Sequence, residues 1–394
     1  MRLWSVAYIR SVFPLGISLW YDGPMSNPFE KIFAGLLPKK GSGSIVGLDI
    51  GSSFIKVVQL KKKGNKAMLE TYGEIALGPL QGLEVGQATN LSVAKLVEAI
   101  NDLFAEAKVT SRDIVFALPL TSTLLTVIEM PDLGEARLKD MIPMEARKYI
   151  PTSVTEVSLS HWIIPKLSRT YIDPDQEKKD VSAPKVDVLL AAVHNDVIAK
   201  YNDIAQKIGA TATTFEIEVF STIRSTLGHD ASASMIIDIG AANTKVVIVE
   251  EGVVRSSHLT NVGSQDITLA LSRSRGVSMI EAEETKREFG LDGNPEDATV
   301  AEVTRLAVER IFTEANRILT RYQHEKRIVI NKVILTGGGA LLKGILPLAS
   351  RNFETEVVHG NAFDKVEAPA VVEPLLKDSG PEFAVALGLA LRKL

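Results

Sequence analysis

From residue 44 onward the apolar and polar positions fall into blocks that recur along the chain. Ile45-Val46-Gly47-Leu48-Asp49-Ile50-Gly51 is an apolar run closed by an acid and a glycine. A strand pattern resumes over 54–60, a charged turn covers 61–65, and 67–76 reads as a third strand, which together predict a meander. Val93, Leu96, Val97, Ile100, Leu103 and Phe104 share one helical face, so a helix over 91–107 should pack on that sheet. Strands are predicted at 114–118, 123–129, 155–165 and 186–194, with helices at 135–149 and 196–208 and a polar, Pro-bearing loop at 168–185. This second set is large enough for an inserted subdomain. A helix is predicted over 215–227, and then the opening theme returns. Met235-Ile236-Ile237-Asp238-Ile239-Gly240 precedes a Val-rich strand, 243–249, and a turn at Glu250-Glu251-Gly252, as an internal repeat of the block around Asp49. Helices at 264–274, 278–290 and 299–325 lead to a strand at 332–336, the run Gly337-Gly338-Gly339, and a last helix over 381–393.

The expected architecture is α/β with two related lobes and an insertion. Its divisions are an extension (1–43), a first lobe (44–114), an inserted α/β subdomain (115–210) and a connecting helix returning to the first lobe (211–233). A second lobe (234–376), with a helical part at 264–330, and a C-terminal connecting helix (377–394) complete it.

Composition narrows the chemistry. With 394 residues, 45% hydrophobic and 23% charged, the chain can fill a core, so global disorder is excluded. A formal net charge of −4 provides no domain-wide basic field, which argues against nucleic acid as the main partner. There are no cysteines, hence no disulfides, thiolate nucleophiles or Cys-ligated metals, as befits a reducing cytoplasm. The six histidines form no H-E-x-x-H pair. Arg10 and Pro14 interrupt the apolar start well short of the ~20 clean residues a membrane-spanning helix needs. Met25 is a candidate true start. Phe29, Ile32, Phe33, Leu36 and Leu37 describe an amphipathic piece that suits either a loosely docked arm or a membrane-surface contact.

Two hairpins that each open with Asp-x-Gly can face one another across a cleft, where small residues let backbone N–H groups approach phosphate oxygens. Gly51-Ser52-Ser53 and Gly240-Ala241-Ala242-Asn243-Thr244 fit that use. Asp49 and Asp238 would then end adjacent strands, point at one phosphate and hold Mg²⁺ through its waters. Lys56 supplies a compact positive charge for the β- and γ-phosphates. A lone D-x-G is equally a strand end before a turn; two copies in matching contexts, with Gly337-Gly338-Gly339 after a Val-Ile-Leu strand, define a split phosphate clamp. Neither a P-loop nor a dinucleotide fingerprint is present.

These motifs resemble those of the actin, sugar-kinase and chaperone ATPase superfamily. Leu48-Asp49-Ile50-Gly51-Ser52-Ser53 with Lys56 is similar to its first phosphate motif, Ile237-Asp238-Ile239-Gly240 with Thr244 to its second, and Leu335-Thr336-Gly337-Gly338-Gly339 to its adenosine motif. Within it the chain from about residue 44 is most similar to the PilM family of type IV pilus assembly and more distantly to FtsA. That likeness is most specific at Ala117-Leu118-Pro119, Ile128-Glu129-Met130-Pro131, 145–151 and 215–224. It implies an actin-like, ribonuclease H-like duplicated fold with ATP and Mg²⁺ as cofactors. Asp49, Gly51, Ser52, Ser53, Lys56, Asp238, Gly240, Asn243 and Thr244 would hold phosphates and metal, and Gly337, Gly338 and Gly339 would face ribose and α-phosphate. Glu283 and Lys286 match the helix bordering purine and ribose, although their pattern equally suits an exposed helix face. Glu218 is the best-placed water-positioning residue, with Glu216 beside it where relatives often carry Asp; either would also serve as a helix-start acid. With Asp49 and Asp238, Glu218 makes up the catalytic set, for at most a slow ATPase in which binding outweighs hydrolysis.

The partner the resemblance implies is the cytoplasmic amino-terminal peptide of a PilN-like inner-membrane protein, held in a groove of the inserted subdomain. Candidate lining is Pro119, Leu120, Leu125, Val127, Ile142 and Tyr149, each of which would also suit a core. Other pilus platform and motor proteins, and a homodimer or polymer, are further expected partners. The protein would be cytoplasmic and peripheral to the inner membrane through its partners. Competing readings are an FtsA-like filament-forming division ATPase and a sugar or carboxylate kinase; the kinase would need a separate general-base acid with sugar-contacting residues around it.

Overall fold

The computed structural model describes residues 9–11, 43–164, 185–228 and 232–394. From the extension only β1 (Ile9–Ser11) and Gly43 are described; Met25 and the amphipathic piece at 29–37 lie outside the described residues. The first lobe is the meander β2 (Ser44–Ile50), β3 (Phe54–Lys63), β4 (Lys66–Ala76), then α1 (Val93–Glu106) and β5 (Asp113–Leu118). A three-stranded sheet follows, made of β6 (Thr123–Pro131), β7 (Val157–Ile163) and β8 (Lys185–His194), with α2 (Glu135–Ala146) between β6 and β7. The chain returns through α3 (Asn195–Lys207) to β9 (Ala212–Ile217) and α4 (Glu218–Thr226).

The second lobe repeats the scheme with β10 (Ser234–Ile239), β11 (Thr244–Glu250) and β12 (Val253–Thr260), then α5 (Ser264–Arg275), α6 (Met279–Phe289), α7 (Thr299–Lys326) and β13 (Lys332–Thr336). It closes with α8 (Ile345–Phe353), β14 (Glu356–His359), α9 (Glu373–Ser379) and α10 (Ala384–Leu391). The sheet orders are β1-β4-β3-β2-β5-β9 and β12-β11-β10-β13-β14. Apart from β1, the two are the same walk: an antiparallel meander read from its third strand to its first, then two strands added in parallel. The sequence repeat is therefore a repeat of topology.

Helices cover the sheets, so β2 and β10 are apolar runs rather than alternating ones. The predicted face of α1 is the buried one, with Leu96, Ala99, Ile100, Leu103 and Phe104 inside. α4 follows the first sheet but packs on the second, placing Val219 and Ile223 with Ile236 and Val247. α10 follows the second sheet but packs on the first, placing Val385 and Leu389 with Ile45, Val115 and Ala117. The crossing is tight enough that a Cβ on Gly388 would lie 1.9 Å from the Ser221 carbonyl oxygen, and one on Gly47 equally close to that of Ala386.

The elements α8, β14 and α9 had no counterpart in the sequence reading, and one stretch read as helix is strand. The helix predicted from 215 begins at Glu218, because Ala212–Ile217 pairs residue for residue with Asp113–Leu118. Thr213, Thr214 and Phe215 suit a pleated, half-buried strand, and the available parallel ladder decides their state.

Candidate functional site

The turns that end β2 and β10 are built alike. Gly51 N–H donates to the Phe54 carbonyl at 2.9 Å and Gly240 N–H to that of Asn243 at 2.9 Å. Each turn places an aspartate directly across the antiparallel ladder from a lysine, Asp49 from Lys56 and Asp238 from Lys245. Opposed residues of such a ladder share a face, so each hairpin presents one acid and one base to the same side. The two aspartates are not on adjacent strands, as the sequence suggested; they end strands of separate sheets that meet across the cleft. The third loop approaches from β13. Gly337 has φ +81°, and a Cβ there would lie 2.4 Å from Asp238 Oδ1 and 2.6 Å from the Ile239 carbonyl oxygen, so only glycine brings this loop against the second aspartate.

These three turns enclose a cavity of about 600 Å³. Asp49, Gly51, Ser52, Ser53, Lys56, Glu218, Asp238, Gly240, Asn243, Glu283, Lys286 and Gly337, Gly338 and Gly339 all line it. Thr244 does not: strand alternation turns it away from Lys245, and its hydroxyl donates to the Val262 carbonyl at 2.8 Å. Glu283 and Lys286 are buried on α6. Glu283 accepts from Lys286 Nζ and Thr268 Oγ1 at 2.6 Å each, and from Arg287 Nε at 2.8 Å. Burial opposes its charge, but Lys286 and these hydrogen bonds outweigh it and hold the carboxyl below the usual glutamate range. The loop after β4 crosses this rim, where Ala88 N–H donates to Gln265 Oε1 at 2.6 Å.

The floor is crowded with acid. Lys245 Nζ donates to Glu218 Oε2 at 2.6 Å and to Asp238 Oδ2 at 3.1 Å. Glu218 Oε1 accepts from Leu120 N–H at 2.6 Å. Burial pushes the Asp49 carboxyl up to about 7, with Glu218 adding to the effect against the opposing pull of Lys245. Burial works against the charge on Lys245 and on Lys56, yet the surrounding carboxylates hold both ammonium groups above the ordinary lysine range. Lys56 stands 3.8 Å from Glu74 Oε2, a buried oxygen that has no hydrogen bond among the described residues. A floor in which Asp49 ionises only near neutrality is one that a divalent cation would relieve, and the glycine turns leave backbone room for phosphate. The donor set therefore fits Mg²⁺ with a nucleotide.

Sequence reasoning left Glu216 and Glu218 as alternatives. Glu216 is buried away from the cavity lining, gripped by the two terminal guanidinium nitrogens of Arg224 at 2.7 Å and by Ser221 Oγ at 2.6 Å, while Glu218 faces the cavity. Lys245 and Glu74 were missed, although Lys245 repeats the place of Lys56 in its block. Of the candidate groove residues, Pro119 lines the cavity, Leu120 and Leu125 belong to the core shared with the first lobe, and Val127 packs against it. Ile142 is fully enclosed in the separate core of the three-stranded sheet, and Tyr149 is 42% exposed. The six do not come together on one surface.

Among the described residues no helix is long and apolar enough to cross a membrane. In comparisons with known proteins, 22% of residues are identical to the cell division protein FtsA of Bacillus subtilis over 352 residues, 79% of this chain and 77% of that one. The fold superposes on a solved PilM-PilN type IV pilus biogenesis complex with a TM-score of 0.73 and 24% identity, covering 88% of this chain and 98% of the other. It also matches MreB5 of Spiroplasma citri bound to AMPPNP, with a TM-score of 0.50 and 11% identity over 89% and 96% of the two chains. Both likenesses establish an actin-like fold. The family model of the type IV pilus assembly protein PilM matches residues 47–394, and the chain belongs to that family.

Proposed function

We propose that the cleft binds Mg·ATP and that the inserted subdomain holds the cytoplasmic amino-terminal tail of a PilN-like inner-membrane protein, making the chain a nucleotide-dependent scaffold on the cytoplasmic face of the pilus machinery. The observation that carries this is the convergence of two Asp–Lys hairpins and one glycine turn on a single cavity. Backbone N–H groups of 52–53 and 241–243 would donate to phosphate oxygens, with Lys56 and Lys245 countering their charge. Asp49 and Asp238 would hold Mg²⁺ through its waters, and the metal would neutralise the excess acid of the floor. Gly337, Gly338 and Gly339 would pass close to ribose and α-phosphate, and Glu283 and Lys286 would border the ribose and purine. Any turnover should be slow: before nucleotide binds, both Glu218 oxygens are engaged, by Leu120 N–H and by Lys245, so orienting a water would first require that arrangement to change.

The peptide half rests on family membership and on the likeness to a solved PilM-PilN complex. Mg·ATP should raise the melting temperature by ligand linkage, and Asp49→Ala should abolish the rise. A labelled PilN-like tail peptide should bind saturably to the full chain. An unmoved wild-type melting curve would refute the nucleotide half, and a flat peptide titration the partner half.

A further inference from the structure

The two halves of the cleft are not electrostatic copies. Lys56 and Lys245 occupy the same place in the repeat, but on the third meander strand Lys56 is opposed by Glu74 and Lys245 by Leu259. The charge of Lys56 is answered first by Glu74, across its own sheet, and next by Glu382, just ahead of α10. Lys245 finds only Asp238 in its own sheet and takes its second carboxylate from α4, at Glu218. Glu218 commits its remaining oxygen to Leu120 N–H, just after Pro119, where the chain leaves β5 for the inserted subdomain. One carboxylate, bonded at 2.6 Å on each side, thus joins the second lobe to the root of the insert.

That root is a point of leverage. The three-stranded sheet is connected to the first lobe through 119–122 and through the junction of β8 with α3. It also touches the second lobe's edge strand, where Ser257 Oγ donates to the Leu125 carbonyl at 2.7 Å and Arg255 stands 3.8 Å from Asp187. Leu120 thus lies a few residues ahead of the contact made by Leu125.

We propose that Glu218 is a positioning residue that transmits the engagement of Lys245 to the root of the inserted subdomain, so that an anion drawing Lys245 away resets how the insert sits between the lobes. Taking that anion to be the phosphates of Mg·ATP rests on the function proposed above. The physics is competition for one buried ammonium. A phosphate oxygen that takes a Lys245 N–H leaves a buried Glu218 oxygen without its partner, a costly state that the carboxylate relieves by turning, and the Leu120 N–H bond follows it.

The test is residue-resolved amide hydrogen exchange of the full chain, read at Leu120. Lys245→Met should speed exchange at Leu120 by about tenfold or more, as expected for loss of a hydrogen bond to a charged group. Lys56→Met removes the same charge from the other half and should leave Leu120 at the wild-type rate. Saturating Mg·ATP should reproduce the acceleration in the wild type. Glu218→Gln, which keeps an oxygen for Leu120 but not the ion pair, should abolish the response and covers the case in which Lys245→Met fails to fold. Leu120 unchanged in Lys245→Met, or accelerated equally in Lys56→Met, overturns the proposal. So does a wild type whose melting temperature rises with Mg·ATP while Leu120 does not respond, or a Glu218→Gln variant that responds like the wild type. A wild type whose melting is indifferent to Mg·ATP refutes the nucleotide reading alone; the Lys245→Met and Lys56→Met comparison then decides the coupling.

Discussion

Replacing Asp49 with asparagine should stabilise the ligand-free protein while removing its response to Mg·ATP. The folded carboxyl ionises near pH 7 against an ordinary value of 3.8, chiefly because burial disfavours its charge and Glu218 repels it. Between those pH values the folded state keeps a proton that the unfolded chain has released. The folded state therefore binds more protons, and its stability falls as pH rises through that window. At about 1.4 kcal/mol per unit, the full shift corresponds to about 4 kcal/mol lost by pH 8. Asp49 is only partly buried and borders an open cleft, so solvent screening reduces the expectation to about 2 kcal/mol. The asparagine side chain would keep the shape without the charge. At pH 8 the variant should melt a few degrees above the wild type, and near pH 4 the two should coincide. Ligand binding runs the other way. Holding a cation requires the carboxylate, so wild-type affinity for Mg·ATP should strengthen up to about tenfold from pH 6 to pH 8, beyond whatever change the variant shows from titration of the nucleotide itself. Melting curves across pH, with and without Mg·ATP, read both effects. An Asp49→Asn protein no more stable than the wild type at pH 8, or one that keeps the ligand shift, would show the reasoning about this carboxyl to be wrong.

Three further substitutions probe the frame around the cleft. Gly337→Ala adds a Cβ that would lie 2.4 Å from Asp238 Oδ1 at a φ of +81°; it should weaken Mg·ATP binding by about 100-fold in a direct titration, and near-wild-type affinity would contradict the close approach. Gly388→Ala drives α10 into the Ser221 carbonyl at 1.9 Å and should cost about 3 kcal/mol in denaturant unfolding, a small loss meaning that the helices part easily. Glu216→Ala strands the partly buried Arg224 and should cost about 3 kcal/mol at neutral pH. Burial opposes the Glu216 charge, but Arg224, Arg392 and Ser221 depress its carboxyl below the usual range, so its stabilisation is present above about pH 4.5 and lost on acidification. The alanine variant should accordingly lose less stability between pH 6 and pH 3 than the wild type; equal losses would remove Glu216 from that transition.

Much of this fold was legible because its strands carry period and punctuation together. The block around Asp49 and its return at Asp238 marked two hairpins, and the same-order sheets show that the likeness extends to the crossover strands, which share no visible motif. The error at Phe215 has a definite cause. Ala212–Ile217 has no alternation strong enough to exclude a helix, and what makes it a strand is the free edge of β5 beside it, a partner set by the chain returning from the insertion. Long-range pairing of that kind leaves little trace in a local pattern.

The site was legible where chemistry sits in a turn and illegible where it depends on register. Asp49, Gly51, Asp238 and the Gly337 run could be read because aspartates and glycines at strand ends have few other uses. Lys245 was open to the same arithmetic that found Lys56, but it stood in a Val-rich strand and read as part of the β pattern. Nothing in the sequence could give it Glu218 as a second partner beside Asp238 of its own sheet. That choice turns on Leu259 standing where the first lobe has Glu74, a fact visible only once the third strand's register is known. The divergence also makes the two lobes electrostatically unequal. Lys56 faces Glu74 of its own sheet and Glu382 ahead of α10, whereas Lys245, held by Glu218 of α4 as well as by Asp238, ties the second lobe to the insert's root. If Mg·ATP binds as proposed, the duplication supplies two similar grips on its phosphate chain, and an acid-to-leucine difference leaves Lys245 the one that reaches, through Glu218, toward the subdomain outside the repeat.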